Sequence, residues 1–93
     1  MTREEILKAA EKCVCGDREQ DYGRPEDNFQ RIADLWNAYC GLTGMVNGFE
    51  PKDVAIMMAL VKIARIASGR FKADSYIDAC GYMACGAEID GGE

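Results

Sequence analysis

Histidine is absent from the 93 residues. Without an imidazole there is no Ser-His or Cys-His nucleophile system, no histidine-plus-aspartate phosphohydrolase site and no mixed Cys/His zinc finger. Long apolar runs are missing as well. The longest, Val54 to Val61, stops at Lys62, far short of the ~18 residues that a membrane span needs. Nor is there an excess of positive charge: 11 Lys and Arg stand against 16 Asp and Glu, a formal net charge of −5. That balance argues against general nucleic-acid binding, which calls for a basic surface. The five cysteines are an odd number, so no complete disulfide framework follows from them. Met1 to Glu5 reads as a helix start rather than a signal peptide. Reduced thiols and a cytoplasmic location are the expectation.

What is present is patterned. Hydrophobic residues make up 48% and charged residues 29% of the chain, a globular balance, and the length suits one domain over residues 1–93. The charge is segregated. Residues 54–73 hold four bases (Lys62, Arg65, Arg70 and Lys72) and no acid, whereas residues 74–93 hold five acids and no base. An acidic protein thus carries one basic band, suited to a small anion.

Apolar spacing favours helix throughout. Thr2-x-x-Glu5 forms a capping box pattern, and Ile6, Leu7, Ala10 and Val14 follow at helical steps, predicting a helix near 3–15 that stops at Gly16. The polar stretch Asp17 to Arg24 has no apolar period and reads as a loop. Pro25 suits the first turn of a second helix near 25–41, with Glu26 and Asp27 at its positive end. Phe29, Ile32, Ala33, Trp36, Tyr39 and Cys40 form its stripe. Residues 44–50 read as a connector, with Met45, Val46 and Phe49 tucked onto the core. Pro51 opens a third helix near 51–68 that is apolar almost all round, the mark of a buried helix. Asp74 or Ser75 caps a fourth near 74–88, and the tail 90–93 frays. The expected architecture is all-α, a compact four-helix domain with a central apolar third helix. Covering that helix, together with the small residues Ala79, Gly81, Ala84, Gly86 and Ala87 on the fourth, points to a homo-oligomer.

Lys62 and Arg65 are the sharpest chemical feature, because two cations three residues apart share a face of an apolar helix. Burying a cation without a partner costs several kcal/mol, so Asp74 and Asp78 are expected as partners, or a ligand phosphate with Arg70 and Lys72 nearby. The loop around Arg18, Asp21 and Tyr22, followed by Asn28 and Arg31, offers a stacking ring, an amide and cations, the ingredients of a nucleotide pocket. The candidate ligand-binding set is therefore Arg18, Asp21, Tyr22, Asn28, Arg31, Lys62, Arg65, Arg70, Asp74 and Asp78. No catalytic residue, metal ligand or cofactor is assigned. All-helical nucleotide pyrophosphohydrolases hold magnesium through a Glu-x-x-Glu pair, and none occurs here. Asp74, Asp78 and Asp21, Glu26 or Asp27 would have to replace it, in competition with Lys62 and Arg65. The cysteines and Met57-Met58 read as core packing rather than metal or cofactor ligands.

Several strings are similar to a known family: Arg18-Glu19-Gln20-Asp21-Tyr22-Gly23, then Asn28-Phe29 and Ile32-Ala33-x-Leu35-Trp36. Pro51-x-Asp53-Val54-Ala55-x-Met57-Met58, Lys62-Ile63-x-Arg65 and Asp78-x-x-Gly81-Tyr82 continue it. Over residues 5–88 the chain resembles a family of small phage and prophage proteins, domain of unknown function number 6378. A looser similarity links it to a phage domain associated with nucleotide modification. The resemblance implies a cytosolic accessory protein acting in an infected or lysogenic bacterium. The residues favour binding over catalysis, so the expectation is a homo-oligomer that sequesters a nucleotide-derived anion in an anti-defence role. Lys62, Arg65 and Arg70 would face phosphate, Tyr22 would stack, and Asn28 or Asp21 would read a base or ribose. The alternatives are a metal-dependent nucleotide pyrophosphohydrolase and a protein that blocks a host defence complex.

Overall fold

Helices α1 (Arg3–Lys12), α2 (Arg18–Tyr22), α3 (Pro25–Tyr39), α4 (Pro51–Ser68) and α5 (Ala73–Gly91) account for nearly all of the computed structural model. It describes residues 1–42 and 48–92. A π-helical turn, Cys13–Asp17, joins α1 to α2. Lys12, Cys13, Asp17 and Arg18 all keep right-handed helical backbone, so α1, the π turn and α2 form one rod, and the described residues make four helical rods. No strand occurs among the described residues.

Local chemistry fixes most of the boundaries. The Thr2–Glu5 capping box forms as expected, with Glu5 N donating to Thr2 Oγ1 at 3.2 Å and Thr2 N to Glu5 Oε1 at 2.9 Å. Pro25 and Pro51 each occupy a first-turn position. A second capping box, in which Glu50 N donates to Asp53 Oδ2 at 2.9 Å, starts α4. Five boundary expectations need correction. The first helix does not stop at Gly16, because the π turn carries helical backbone through that residue into α2. The polar stretch Asp17 to Arg24 is helical as far as Tyr22, because a solvated strip of a helix needs no apolar period. The second helix ends at Tyr39 rather than residue 41. The fourth helix begins at Ala73 after Lys72, with Asp74 in its first turn and no side-chain cap. It runs to Gly91, whose neighbour Gly92 turns left-handed at φ 75°, and Lys52 Nζ holds its last turn through Asp90 at 3.3 Å.

The core is Phe29 and Ala33 of α3, Val54 and Ala55 of α4, and Cys85 of α5. Val14, Trp36, Phe49, Met58, Tyr82 and Ile89 close around it. Val54 is fully buried, a gain of about 1.5–3 kcal/mol for a side chain of its size. Phe49 packs on Trp36 edge to face at 5.7 Å. Asn37 ties that segment to α3, donating from Nδ2 to the Phe49 carbonyl at 3.1 Å and accepting from Phe49 N at 2.7 Å. Met45 and Val46, expected on the core, lie outside the described residues. Two of the small residues of α5, Gly81 and Gly86, serve contacts within the chain, while Ala84 and Ala87 are exposed. A Cβ at Gly81 would sit 2.9 Å from Val14 Cγ1, and one at Gly86 would sit 3.0 Å from Ala55 Cβ.

Among the described residues the apolar third rod is covered on one side alone. Val54, Ala55 and Ala59 are buried, but Ile56, Met57, Leu60, Val61 and Ile63 are exposed. α3 and α5 shield one face of α4, and among the described residues no element lies over the other.

Candidate functional site

The π turn sets the register of the first rod. Widening the ring by one residue aims Cys13, Val14, Arg18 and Tyr22 into a single cleft against α5. Gly81 lets that rod approach closely. Gly23 then turns the chain with φ 81° and ψ −166°, a conformation essentially restricted to glycine, and delivers Pro25, Asn28 and Phe29 of α3 to the opposite wall. Ile77, Asp78, Gly81, Tyr82 and Cys85 of α5 complete the lining.

The floor of this cleft is apolar and its rim is polar. The enclosed volume is about 50 Å³, well below the ~300 Å³ of an ordinary small-molecule pocket. A ligand would therefore insert an edge and lie on the rim instead of being engulfed. Arg18 dominates that rim. Its guanidinium carbon lies 5.6 Å from the Tyr22 ring centre and 6.0 Å from that of Tyr82, both within cation–π range. Tyr82 in turn rests on Phe29 at 6.1 Å. Burial disfavours the Arg18 charge, but Tyr82, Asp78 and Cys13 outweigh it and hold the group above the ordinary arginine pKa. Arg18 forms no ion pair within 4.0 Å among the described residues, so no carboxylate occupies its donor fork. Tyr22 is 58% exposed, and its ring offers a stacking face.

Lys62 and Asp78 meet at 2.9 Å, their side chains 13% and 22% exposed. The expected partnership with an aspartate thus forms for Lys62. Arg65 is exposed, without an ion pair among the described residues. Three residues along a helix turn the side chain by about 60°, enough to carry Arg65 off the face shared with α5. Of the ten residues singled out in the sequence, Arg18, Tyr22, Asn28 and Asp78 come together in this cleft. Asp21, Arg31, Arg65 and Asp74 lie exposed outside it, and Arg70 lines a separate hollow with Phe71, Lys72 and Tyr76 at the α4–α5 turn.

Tyr82, Cys13 and Cys85 line the cleft without having been singled out for it. The one sequence signal for Tyr82 was the spacing Asp78-x-x-Gly81-Tyr82, which puts carboxylate and ring one helical turn apart. Burial pushes the Cys85 thiol up from its ordinary range, so it sits in the cleft wall as a protonated apolar group. Cys15 and Cys40 are exposed, Cys13 and Cys80 half-buried, which limits the core-packing expectation mainly to Cys85. Beside the cleft, a hollow is lined by Glu19, Arg24, Glu26 and Glu88. Arg24 Nε lies 3.3 Å from Glu26 Oε2, yet that buried oxygen has no hydrogen-bond partner, so the contact is Coulombic. Among the described residues no group of three or more Asp, Glu, Cys or His side chains is gathered to hold a metal ion. No helix among them is long and apolar enough to cross a membrane.

Comparison with known proteins supplies context. The family described as "Domain of unknown function (DUF6378)" matches residues 5–90. The chain is similar to the "Gene 55 protein" of Mycobacterium phage L5, 46% identical over 77 residues, which are 83% of this chain and 47% of that relative. It is also similar to the "Gene 55 protein" of Mycobacterium phage D29, 37% identical over 82 residues, 88% of this chain and 51% of that relative. The chain spans about half the length of these curated relatives. No solved structure matches.

Proposed function

The chain belongs to the DUF6378 family, and from that premise we propose that it is a phage accessory protein that binds a nucleotide-derived anion at the Arg18 cleft and sequesters it. The observation that carries this reading is the open guanidinium of Arg18 beside two tyrosine rings, one of them exposed, with the Asn28 amide on the same rim. A phosphate would meet the forked donors of Arg18, bidentate and charge-assisted. A base would stack on Tyr22, and Asn28 would read its polar edge. Lys62 then acts indirectly, by pairing with Asp78 on the cleft wall and offsetting the carboxylate's charge there. The mycobacteriophage relatives supply the setting, an infected or lysogenic host, in which capture of a nucleotide-derived signal would serve against host defence.

Sequestration is preferred to pyrophosphate hydrolysis for a geometric reason. Asp78 is engaged by Lys62, and it forms no metal-holding group with Asp21, Asp74 or Glu26. The test is to incubate the purified chain with linear and cyclic nucleotides, remove the protein, denature it, and analyse both fractions. Depletion followed by release of the intact compound is the expected result. Magnesium-dependent conversion would replace sequestration with hydrolysis. No depletion of any nucleotide would overturn the small-molecule reading and leave a protein target, such as a defence complex.

A further inference from the structure

The exposed side of α4 has a composition that a scattering of surface apolar residues does not. Ile56, Met57, Leu60, Val61 and Ile63 are all exposed, and Ala64 and Ala67 continue the same side. At 100° per residue these seven occupy one wide face, on which no charged side chain occurs between Asp53 and the end of the helix. Isolated exposed apolar residues need no explanation, whereas a contiguous face of this kind marks an interface.

The two ends of the face carry opposite charge. Glu50 and Asp53 stand at the N-terminal end, where Lys52 is already paired with Asp90, and Arg65 and Arg70 near the C-terminal end, all within a chain of net charge −5. Such a face is complementary to itself when two copies meet antiparallel about a two-fold axis, acid over base at both ends. The helix dipoles then oppose one another as well. A parallel pairing would set like charges together. In the antiparallel arrangement centred on Leu60, the small residue Ala64 leaves room for the partner's Ile56.

We propose that two copies of this chain pair through α4, antiparallel, with Leu60 near the two-fold axis. This dimer leaves the Arg18 cleft uncovered, since α4 contributes no residue to its lining, and so it does not depend on the proposed ligand. Sedimentation equilibrium of the native chain at high micromolar concentration should give a dimer. Leu60→Glu and Ala64→Glu, both at exposed positions, should give monomers with unchanged far-UV circular dichroism. The doubly substituted Arg65→Glu/Arg70→Glu chain should dimerise at least about tenfold more weakly, because it sets acid against acid at both ends. A monomeric native chain would overturn the proposal and assign the face to another occupant, such as further chain in the longer relatives. Persistence of the dimer in both Leu60→Glu and Ala64→Glu would overturn its location. Tighter association of Arg65→Glu/Arg70→Glu would overturn its antiparallel sense.

Discussion

Replacing Lys62 by methionine should unfold the domain more readily while leaving the Arg18 rim in place. The Lys62–Asp78 contact is 2.9 Å long, with side chains 13% and 22% exposed, between the two familiar regimes. Breaking a fully buried pair costs ~3–5 kcal/mol, and an exposed one contributes at most about 1 kcal/mol. Methionine keeps the aliphatic bulk, so the loss is mainly electrostatic, and the partial exposure of Asp78 softens it. A destabilisation of about 2 kcal/mol follows, a fall in Tm of roughly 8–16 °C for a domain of this size. Asp78→Asn should cost less, about 1 kcal/mol, because lysine can extend its ammonium toward water. Urea unfolding at fixed protein concentration, followed by far-UV circular dichroism, measures both variants and Lys62→Met/Asp78→Asn. The cycle should return a coupling near 1 kcal/mol, well outside the ~0.3–0.5 kcal/mol scatter of independent sites. A coupling within that scatter would refute the pairing and return Lys62 to the list of direct ligand contacts.

Other consequences follow from the same geometry. Gly23→Ala should cost about 1–3 kcal/mol, read by chemical denaturation, since φ 81° with ψ −166° strains any side chain. It should weaken ligand capture too, because that turn positions Tyr22 and Asn28. Gly81→Ala sets a gain of about 1 kcal/mol in helix propensity against an overpacking cost of ~1–3 kcal/mol from Val14 Cγ1 at 2.9 Å. Net destabilisation is expected in the native background, and a smaller effect when Val14→Ala is combined with it. Asn37→Ala should lose about 1–3 kcal/mol by leaving the Phe49 backbone groups unpaired. Thr2 hydrogen bonds hold the exposed Glu5 carboxylate below its usual pKa. Its stabilisation is therefore present above the unfolded value and is lost as pH falls through the folded one. Fraying of α1 below the ordinary glutamate range, seen by amide exchange, would check this.

The helices with strong local chemistry were legible in the sequence. Thr2, Pro25 and Pro51 announced three starts, and the apolar steps of Phe29, Ala33 and Val54 identified much of the core. Where the chain's behaviour depends on neighbours, spacing alone was insufficient. The Asp17–Tyr22 stretch is polar because it lies on a solvated rod, and polarity there resembled a loop. The uniform apolarity of α4 indicated burial on every side, but among the described residues only α3 and α5 cover it, and on one side. The candidate site was half legible: Arg18, Tyr22, Asn28 and Asp78 converge, while the cation facing the cleft is Arg18 and not Lys62 or Arg65. That exchange turns on which face of α4 meets α5 and on the π turn that redirects Arg18. Neither leaves a periodic trace in the residues.

The central claim is that Arg18 anchors an anion while Tyr22 stacks on its base. Isothermal titration of the retained nucleotide into the native chain, Arg18→Gln and Arg65→Gln tests it most directly. Loss of a charge-assisted bidentate contact predicts binding at least about tenfold weaker for Arg18→Gln, with Arg65→Gln indistinguishable from native. Native affinity in Arg18→Gln, with the loss falling on Arg65→Gln, would contradict the account and move the site to the basic end of α4.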